Sequence, residues 1–295
     1  MPFDFVQVDA FTDKPLFGNP AAVVFDADEL SPATMQKIAR EMNLSETVFI
    51  VKPTLPGADY RARIFTPMNE LPFAGHPTIA AAFAVRARYP EKADATLLRQ
   101  ECGIGIVPVE IARSATGFQF RMTQGTPAYR STKLTRETVA AMLGCAPSDL
   151  AASAFEVVST GVPWLIVELN ELATISALNP DQGLIARECK ALGAAGVNVF
   201  VERGDHGPVR IRVRTFAPGE GVSEDPVCGS GNGSIVAFLA RHKHPADSKG
   251  AYVAEQGIEI GRDGEVHASW VRERDMVTVR IGGAAALAAS GELYV

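Results

Sequence analysis

The sequence predicts an α+β protein that contains two copies of one structural unit. Short runs rich in Val, Ile and Phe, which are typical of strands, outnumber the helical segments along the whole chain. The length of 295 residues exceeds the common single-domain size of about 100–150 residues, which favours two domains. In addition, several short motifs recur in the same order about 150 residues further along the chain, which indicates an internal repeat.

In the first half, two helices interrupt a series of predicted strands. Ser31 and Pro32 predict a helix start, since Ser is a favoured N-cap and Pro suits the first helical turn; this helix extends to about Asn43. The Ala-rich segment Pro77–Tyr89 predicts the second helix. The predicted strands are Phe3–Ala10, Ala21–Phe25, Thr47–Val51, Tyr60–Phe65, Leu97–Glu101, Ile104–Ala112 and Phe118–Met122.

The second half repeats this alternation and ends in strands. Its predicted helices are Thr135–Leu143, which Gly144 terminates, Asp181–Leu192 and Asn232–His242. Its predicted strands are Phe155–Val158, Trp164–Glu168, Asn198–Glu202, Val209–Phe216, Ala251–Gln256, Glu265–Trp270, Met276–Ile281 and Leu293–Val295.

Five matches in the same order support the repeat. Chance similarity is an unlikely explanation for them, because it rarely preserves both order and spacing. At an offset of 151 residues, Glu46 would correspond to Val197. The matches are Gly18–Pro20 with Gly161–Pro163, Leu30–Pro32 with Leu178–Pro180, Thr47–Ile50 with Asn198–Val201, Arg61–Pro67 with Arg212–Pro218, and the glycine turn at Gly75 with that at Gly229.

Composition and charge argue against several classes of function. The net charge of −6 provides no basic face for nucleic acid or an anionic membrane. Apolar runs such as Ile79–Val85 and Ala284–Ala289 are far shorter than the roughly 18 residues of a membrane span. The N-terminus shows no secretory signal, so we expect a cytoplasmic protein. No C-x-x-C pair, phosphate-binding loop or clustered set of metal ligands occurs; His242 and His244 are too few for a metal site.

Two glycine-containing turns are candidates for anion binding. Gly75-His76-Pro77 and Gly229-Ser230-Gly231 each precede a predicted helix, where backbone N–H groups have no intrahelical acceptor. If the two repeats pack about a pseudo-twofold axis, both helix starts would face one cleft that could bind a carboxylate or an enolate-like intermediate. Taken singly, each turn could equally be an ordinary helix cap.

Five motifs together resemble the phenazine-biosynthesis isomerase family, which includes trans-2,3-dihydro-3-hydroxyanthranilate isomerase and has the diaminopimelate epimerase-like fold. They are Gly18–Pro20, Asn43–Thr47, Phe65–Pro67, Ala74–Thr78 and Glu224–Ser230. The resemblance covers the whole chain. It implies two similar domains, residues 1–127 and 128–285, each with a curved mixed sheet around a central helix, and a last strand at about 286–295 that returns to the first domain. It also implies a homodimer without cofactors.

The resemblance also assigns roles to individual residues. It implies that Glu46 is the acid/base and that His76, Asp225 and Ser230 form the polar part of the active site. Gly75 and Gly229 would supply backbone donors, and Asn19 would bind substrate or anchor its loop. Each assignment has a structural alternative: a solvated side chain for Glu46, a buried core histidine for His76 and a turn residue for Asp225.

The resemblance favours a proton shift over racemisation. Racemases of this fold use two cysteines, at positions where this chain has Ala74 and Cys228, so only one thiol is present. Glu46 likewise has a hydrophobic partner, Val197, in the second repeat, which predicts a single base. Burial disfavours an ionised carboxylate, so this Glu could take up and return a proton near neutral pH. We expect an isomerase that moves a proton and a double bond in a small unsaturated carboxylic acid; an epimerase or racemase and a non-catalytic binder are the alternatives.

Overall fold

A computed structural model describes residues 2–203, 209–274 and 276–295. The chain divides into two compact units, Met1–Thr123 together with Gly282–Val295, and Gln124–Ile281. Both units combine many strands with few helices, so the α+β fold class is confirmed. No helix in the described ranges is long and apolar enough to cross a membrane.

The first unit is a mixed sheet that surrounds one helix. The unit contains β1 (Phe3–Ala10), β2 (Asn19–Val24), α1 (Pro32–Met42), β3 (Glu46–Val51), β4 (Tyr60–Phe65), β5 (Glu70–Leu71), α2 (Gly75–Arg88), β6 (Leu97–Cys102), β7 (Gly105–Ser114), β8 (Gly117–Thr123) and β18 (Ala285–Leu293). The pairs β2–β3 and β4–β6 are parallel, whereas β1–β2, β3–β4, β6–β7 and β7–β8 are antiparallel.

Helix α2 is the central helix of this unit. It contacts β1 to β4, β6 to β8 and β18, and it is buried along most of its length. Helix α1 lies on the outer face of the sheet, where Met35 and Ile38 pack with Phe49 and Phe65. The Ser31 hydroxyl accepts the Thr34 N–H at the start of α1, which confirms the predicted N-cap.

The last strand, β18, spans Ala285–Leu293 and pairs antiparallel with β1. These bounds are close to the strand at about 286–295 that the family resemblance implies. The strand predicted from local sequence at Leu293–Val295 is wrong, because only Leu293 belongs to β18. This segment is rich in Ala, Gly and Ser, which have low strand propensity, so pairing with β1 rather than local sequence decides its conformation.

The second unit has the same plan, with one central helix inside a mixed sheet. It contains β9 (Ala128–Ser131), α3 (Arg136–Leu143), β10 (Glu156–Ser159), β11 (Pro163–Glu168), α4 (Leu172–Ala177), α5 (Gln182–Leu192), β12 (Gly196–Arg203), β13 (Val209–Ala217), β14 (Val222–Asp225), α6 (Gly229–His242), β15 (Lys249–Gln256), β16 (Gly264–Glu273) and β17 (Met276–Gly283). The central helix is α6, which contacts β10 to β12, β15 and β16, and the pairs β11–β12 and β13–β15 are parallel.

Helix α6 begins three residues before its predicted start at Asn232. Its first turns contain Gly229, Gly231 and Gly233, although Gly is a poor helix former. Close packing explains two of these glycines: a Cβ at Gly231 would lie 2.4 Å from Oδ1 of Asn198, and one at Gly233 would lie 2.6 Å from Oε1 of Gln124. The helix therefore has glycine where neighbouring side chains contact its backbone closely.

Strand pairing corrects the alignment of the two repeats at β3. Thr47 pairs with Phe65, and in the second unit Val197 pairs with the matching Phe216. Thr47 therefore corresponds to Val197, and the counterpart of Glu46 is Gly196, not Val197. A shift of one residue moves a side chain to the opposite face of a sheet, so the identity of this counterpart matters for the site.

Candidate functional site

The first group of site residues lies where β2, β3 and α2 begin. Glu46 is the first residue of β3, and His76 is the second residue of α2. Their side chains meet, with Oε2 of Glu46 3.2 Å from Nε2 of His76. The Glu46 side chain is only 15% exposed and that of His76 only 7%, so the carboxyl group is not a solvated surface group.

Burial keeps His76 neutral at physiological pH. It lowers the pKa of the imidazole to about 3, although a hydrogen bond to the backbone carbonyl of Pro20 acts in the opposite direction. Among the described residues Nε2 has no hydrogen-bond partner, so the bond to Pro20 uses Nδ1. The lone pair of Nε2 therefore faces Oε2 of Glu46, where it can accept the proton of a protonated carboxyl group.

Asn19 is held near this pair by a structured loop. It is the first residue of β2, is fully buried and pairs with Ala10 of β1. The preceding Gly18 has φ +59°, and a Cβ there would lie 2.2 Å from the carbonyl oxygen of Ala10. Asp9, which the sequence analysis did not select, accepts the Leu16 N–H at 2.6 Å and so fixes the same loop. The sequence feature that could have identified Asp9 is an acidic residue within a largely apolar strand.

The second group lies around the start of α6. Asp225 ends β14, Cys228 is the N-cap of α6, and Gly229 and Ser230 are its first two residues. Oγ of Ser230 lies 3.6 Å from Sγ of Cys228 and accepts a hydrogen bond from Nε1 of Trp164 at 3.1 Å. The connection from β14 to α6 therefore brings a carboxylate, a hydroxyl and a thiol together.

The Cys228 thiol remains protonated. Burial raises its pKa well above the ordinary value, and the nearby Asp225 charge adds to this increase. Ala74 is the N-cap of α2 and so holds the matching position in the first unit. A pair of facing catalytic thiols is therefore absent from these two positions.

Gln256 holds the connection between β14 and α6 in place. Its Nε2 donates to the carbonyl oxygen of Asp225, and its Oε1 accepts from the Cys228 N–H and from Nδ2 of Asn232. The Gln256 amide thus binds both ends of the segment from Asp225 to Cys228, which connects β14 to α6. Sequence analysis missed this residue, because a lone Gln at the end of a strand has no characteristic pattern.

An identical ion pair precedes the central helix of each unit. Arg63 binds Glu70 through Nε–Oε1 at 2.8 Å and Nη2–Oε2 at 2.7 Å. Arg214 binds Glu224 with the same atoms, both at 2.8 Å. Each pair joins a long strand to the short strand that leads to the site, which extends the repeat beyond the sequence matches.

Both helix starts offer backbone donors. The first N–H groups of α2 and α6 have no intrahelical acceptor, and their positive dipole ends favour an anion. Among the described residues no three His, Cys, Asp or Glu side chains are grouped as metal ligands. The predicted residues thus form two groups, Asn19, Glu46, Gly75 and His76 in the first unit, and Asp225, Gly229 and Ser230 in the second.

Comparison with known proteins gives consistent matches over the whole chain. The PhzC-PhzF family, described as "Phenazine biosynthesis-like protein", matches residues 8–291. A trans-2,3-dihydro-3-hydroxyanthranilate isomerase of Pseudomonas aeruginosa is 38% identical over 99% of both chains. An uncharacterized isomerase of Clostridium acetobutylicum is 34% identical over 99% of this chain and 98% of its own.

Solved structures show the same fold. A PhzF-family phenazine biosynthesis protein of Bacillus anthracis superimposes with a TM-score of 0.91 at 29% identity and covers 100% of both chains. A hydroxyproline epimerase of Agrobacterium vitis has a TM-score of 0.61 at 15% identity over 99% of this chain and 91% of its own. At that identity the second likeness concerns the fold alone.

Proposed function

This chain is an isomerase of the phenazine biosynthesis-like PhzC-PhzF family, and we propose that it moves a proton, and with it a double bond, within a small unsaturated carboxylic acid. The Glu46–His76 pair carries this proposal. A buried carboxyl group beside a neutral imidazole can accept a proton and return it. Gly196, the counterpart of Glu46, has no side chain, so the repeat supplies one carboxylate at this position.

The proposed reaction uses one acid/base group. Glu46 takes a proton from a carbon next to the unsaturated system, and the electron pair of that C–H bond shifts the double bond. The protonated Glu46 is stabilised by Nε2 of His76 and then gives its proton to a carbon at the other end of the shifted system. The substrate and product are therefore isomers, and the reaction needs no metal or nucleotide.

Hydrogen-bond donors must stabilise the negative charge that develops on the substrate. We assign this role to the N–H groups at Gly75 and Gly229 and to the Ser230 hydroxyl. Asp225 would accept hydrogen bonds from polar groups of the substrate, and Asn19 would bind the substrate beside Glu46.

The named relatives suggest trans-2,3-dihydro-3-hydroxyanthranilate as the first compound to test. The purified protein, without added metal or nucleotide, is incubated with this compound and with a panel of carboxylates that includes proline and other amino acids. Mass spectrometry and NMR follow the formation of isomers in H₂O and in D₂O. Size-exclusion chromatography of the same preparation tests the proposed homodimer.

A double-bond isomer of unchanged mass, formed by the wild type but not by Glu46→Gln, is the expected result. Conversion of an amino acid to its mirror image would instead identify a racemase. Binding of a carboxylate with no exchange of carbon-bound hydrogen across the panel would identify a non-catalytic binder. Either of these outcomes would overturn the proposed function.

A further inference from the structure

Trp164 occupies a position in the second unit that the small residue Ala21 occupies in the first. Ala21 lies beside Glu46 in the parallel pair β2–β3, and Trp164 lies beside Gly196 in the parallel pair β11–β12. In the first unit the larger side chain of the pair, Glu46, lies on the second strand, whereas in the second unit the larger one, Trp164, lies on the first strand.

No side chain fits at Gly196. A Cβ there would lie 2.2 Å from the carbonyl oxygen of Phe216 and 2.9 Å from Cζ3 of Trp164. The backbone of the neighbouring strand and the indole therefore both exclude a second carboxylate at this position. Trp164 is itself almost fully buried, which fixes its ring.

The contacts of the two large side chains also correspond. Glu46 contacts His76, the second residue of α2, whereas Trp164 contacts Ser230, the second residue of α6. A carboxyl–imidazole pair in the first unit is therefore replaced by an indole–hydroxyl pair in the second.

We propose that Trp164 is a positioning residue that makes the Ser230 hydroxyl a hydrogen-bond donor to an anionic oxygen of the substrate. An indole N–H can only donate, so it occupies a lone pair of Oγ and leaves the hydroxyl proton to another acceptor. The nearest other polar group is the Cys228 sulfur at 3.6 Å, a weak hydrogen-bond partner that a carboxylate oxygen can replace.

This inference rests on the proposed function and adds the chemistry of the group bound at Ser230. Because the Trp164 N–H donates to Oγ, the hydroxyl proton is directed away from the indole and is available to an anionic or carbonyl oxygen of the substrate. The Ser230 hydroxyl of the second unit would thus bind negative charge.

The test compares two tryptophans of the same unit. Trp164→Phe keeps an aromatic ring and removes the N–H that binds Ser230. Trp270→Phe is the matched control, because Trp270 is equally buried, but its Nε1 has no hydrogen-bond partner among the described residues. Both variants are also made with Ser230→Ala, and circular dichroism and thermal unfolding verify their folding.

The readouts are kcat, KM and the calorimetric affinity for 3-hydroxyanthranilate, a stable aromatic carboxylate used as the probe. We expect Trp164→Phe to weaken binding of the probe and raise KM about tenfold, the size of one lost hydrogen bond to a charged group. Trp270→Phe should change both by less than about twofold. In the Ser230→Ala background Trp164→Phe should have no further effect, because its N–H then has no hydroxyl to orient.

A second substitution covers the case in which Trp164→Phe does not fold. The chain has two tryptophans, so in the Trp270→Phe background Trp164 is the only one left and can be replaced biosynthetically by benzothienylalanine. This analogue keeps the ring shape and has sulfur in place of the N–H. The same loss of probe affinity is expected, and unchanged affinity would overturn the inference.

The two proposals fail in different ways. If the wild type does not isomerise any compound of the panel, the proposed function fails, whatever the affinities of the tryptophan variants. If the wild type is active but the Trp164 and Ser230 effects simply add, the proposed function stands, and Trp164 does not act through Ser230.

Discussion

Gly196 holds in the second repeat the position that Glu46 holds in the first, as the pairing of each with its neighbouring strand shows. One repeat therefore presents a carboxylate beside the start of its central helix, and the other presents no side chain. Two units of the same plan therefore differ in the chemistry of this position.

The first prediction concerns replacement of Glu46, the proposed acid/base. Glu46→Gln keeps the size of the side chain and removes its ability to accept a proton. Turnover should fall by at least about 10²–10⁴-fold, the range that general acid–base catalysis supplies, while substrate affinity changes by less than about tenfold. Steady-state kinetics and calorimetry measure both quantities. The exposed Glu41→Gln in the same unit is the control, and near-normal turnover in Glu46→Gln would contradict the assignment.

The second prediction concerns His76 and pH. Its pKa in the folded protein is about 3, below the value of about 6.5 in an unfolded chain, so the unfolded state binds more protons between these values. The free energy of unfolding should therefore decrease as the pH falls below about 6.5, and His76 contributes about 1 kcal/mol of that loss between pH 7.5 and 5.5.

Urea denaturation at these two pH values measures the effect. His76→Gln, which cannot be protonated, should show a smaller decrease than the wild type by about 1 kcal/mol. The exposed His267→Gln serves as the control. An unchanged pH dependence in His76→Gln would mean that the imidazole is not held in its neutral form.

Third, Cys228→Ser should retain most of the activity. The thiol is held protonated by burial and by Asp225, and Ala74 provides no second thiol for a two-base reaction. We expect turnover within about tenfold of the wild type. A decrease of more than about a hundredfold, the lower end of acid–base effects, would place the sulfur in the mechanism.

The fourth prediction compares the repeated ion pairs. Arg214→Gln removes the cation that binds Glu224, which is only 13% exposed, and should destabilise the protein by about 3 kcal/mol because a buried charge loses its partner. Arg63→Gln should cost less than about 1 kcal/mol, since Glu70 is 41% exposed. Equal losses in urea denaturation would show that burial does not decide the strength of these pairs.

Local sequence was sufficient for the elements but not for their register. The strands Phe3–Ala10 and Tyr60–Phe65 and the capped start of α1 were predicted as found, because their residue patterns act locally. The counterpart of Glu46 was misassigned by one residue, because only pairing between strands fixes register.

Other features had no usable local signal. The Ala-rich β18 is a strand because it pairs with β1, and glycine occupies helical position 231 because Asn198 leaves no room for a side chain. The aligned motifs did show that Trp164 corresponds to Ala21 in the repeat, but only the structure shows the hydrogen bond from Trp164 to Ser230.

The most direct test of the single-base account is the face of the substrate at which hydrogen leaves and returns. The reaction is run in D₂O with the substrate identified by the panel, and NMR assigns the configuration of the hydrogen at the newly protonated carbon. The account predicts delivery to the face from which the proton was removed, with part of the original protium retained because a buried carboxylic acid exchanges slowly with solvent. Obligatory delivery of solvent deuterium to the opposite face would require a second base and would contradict the account.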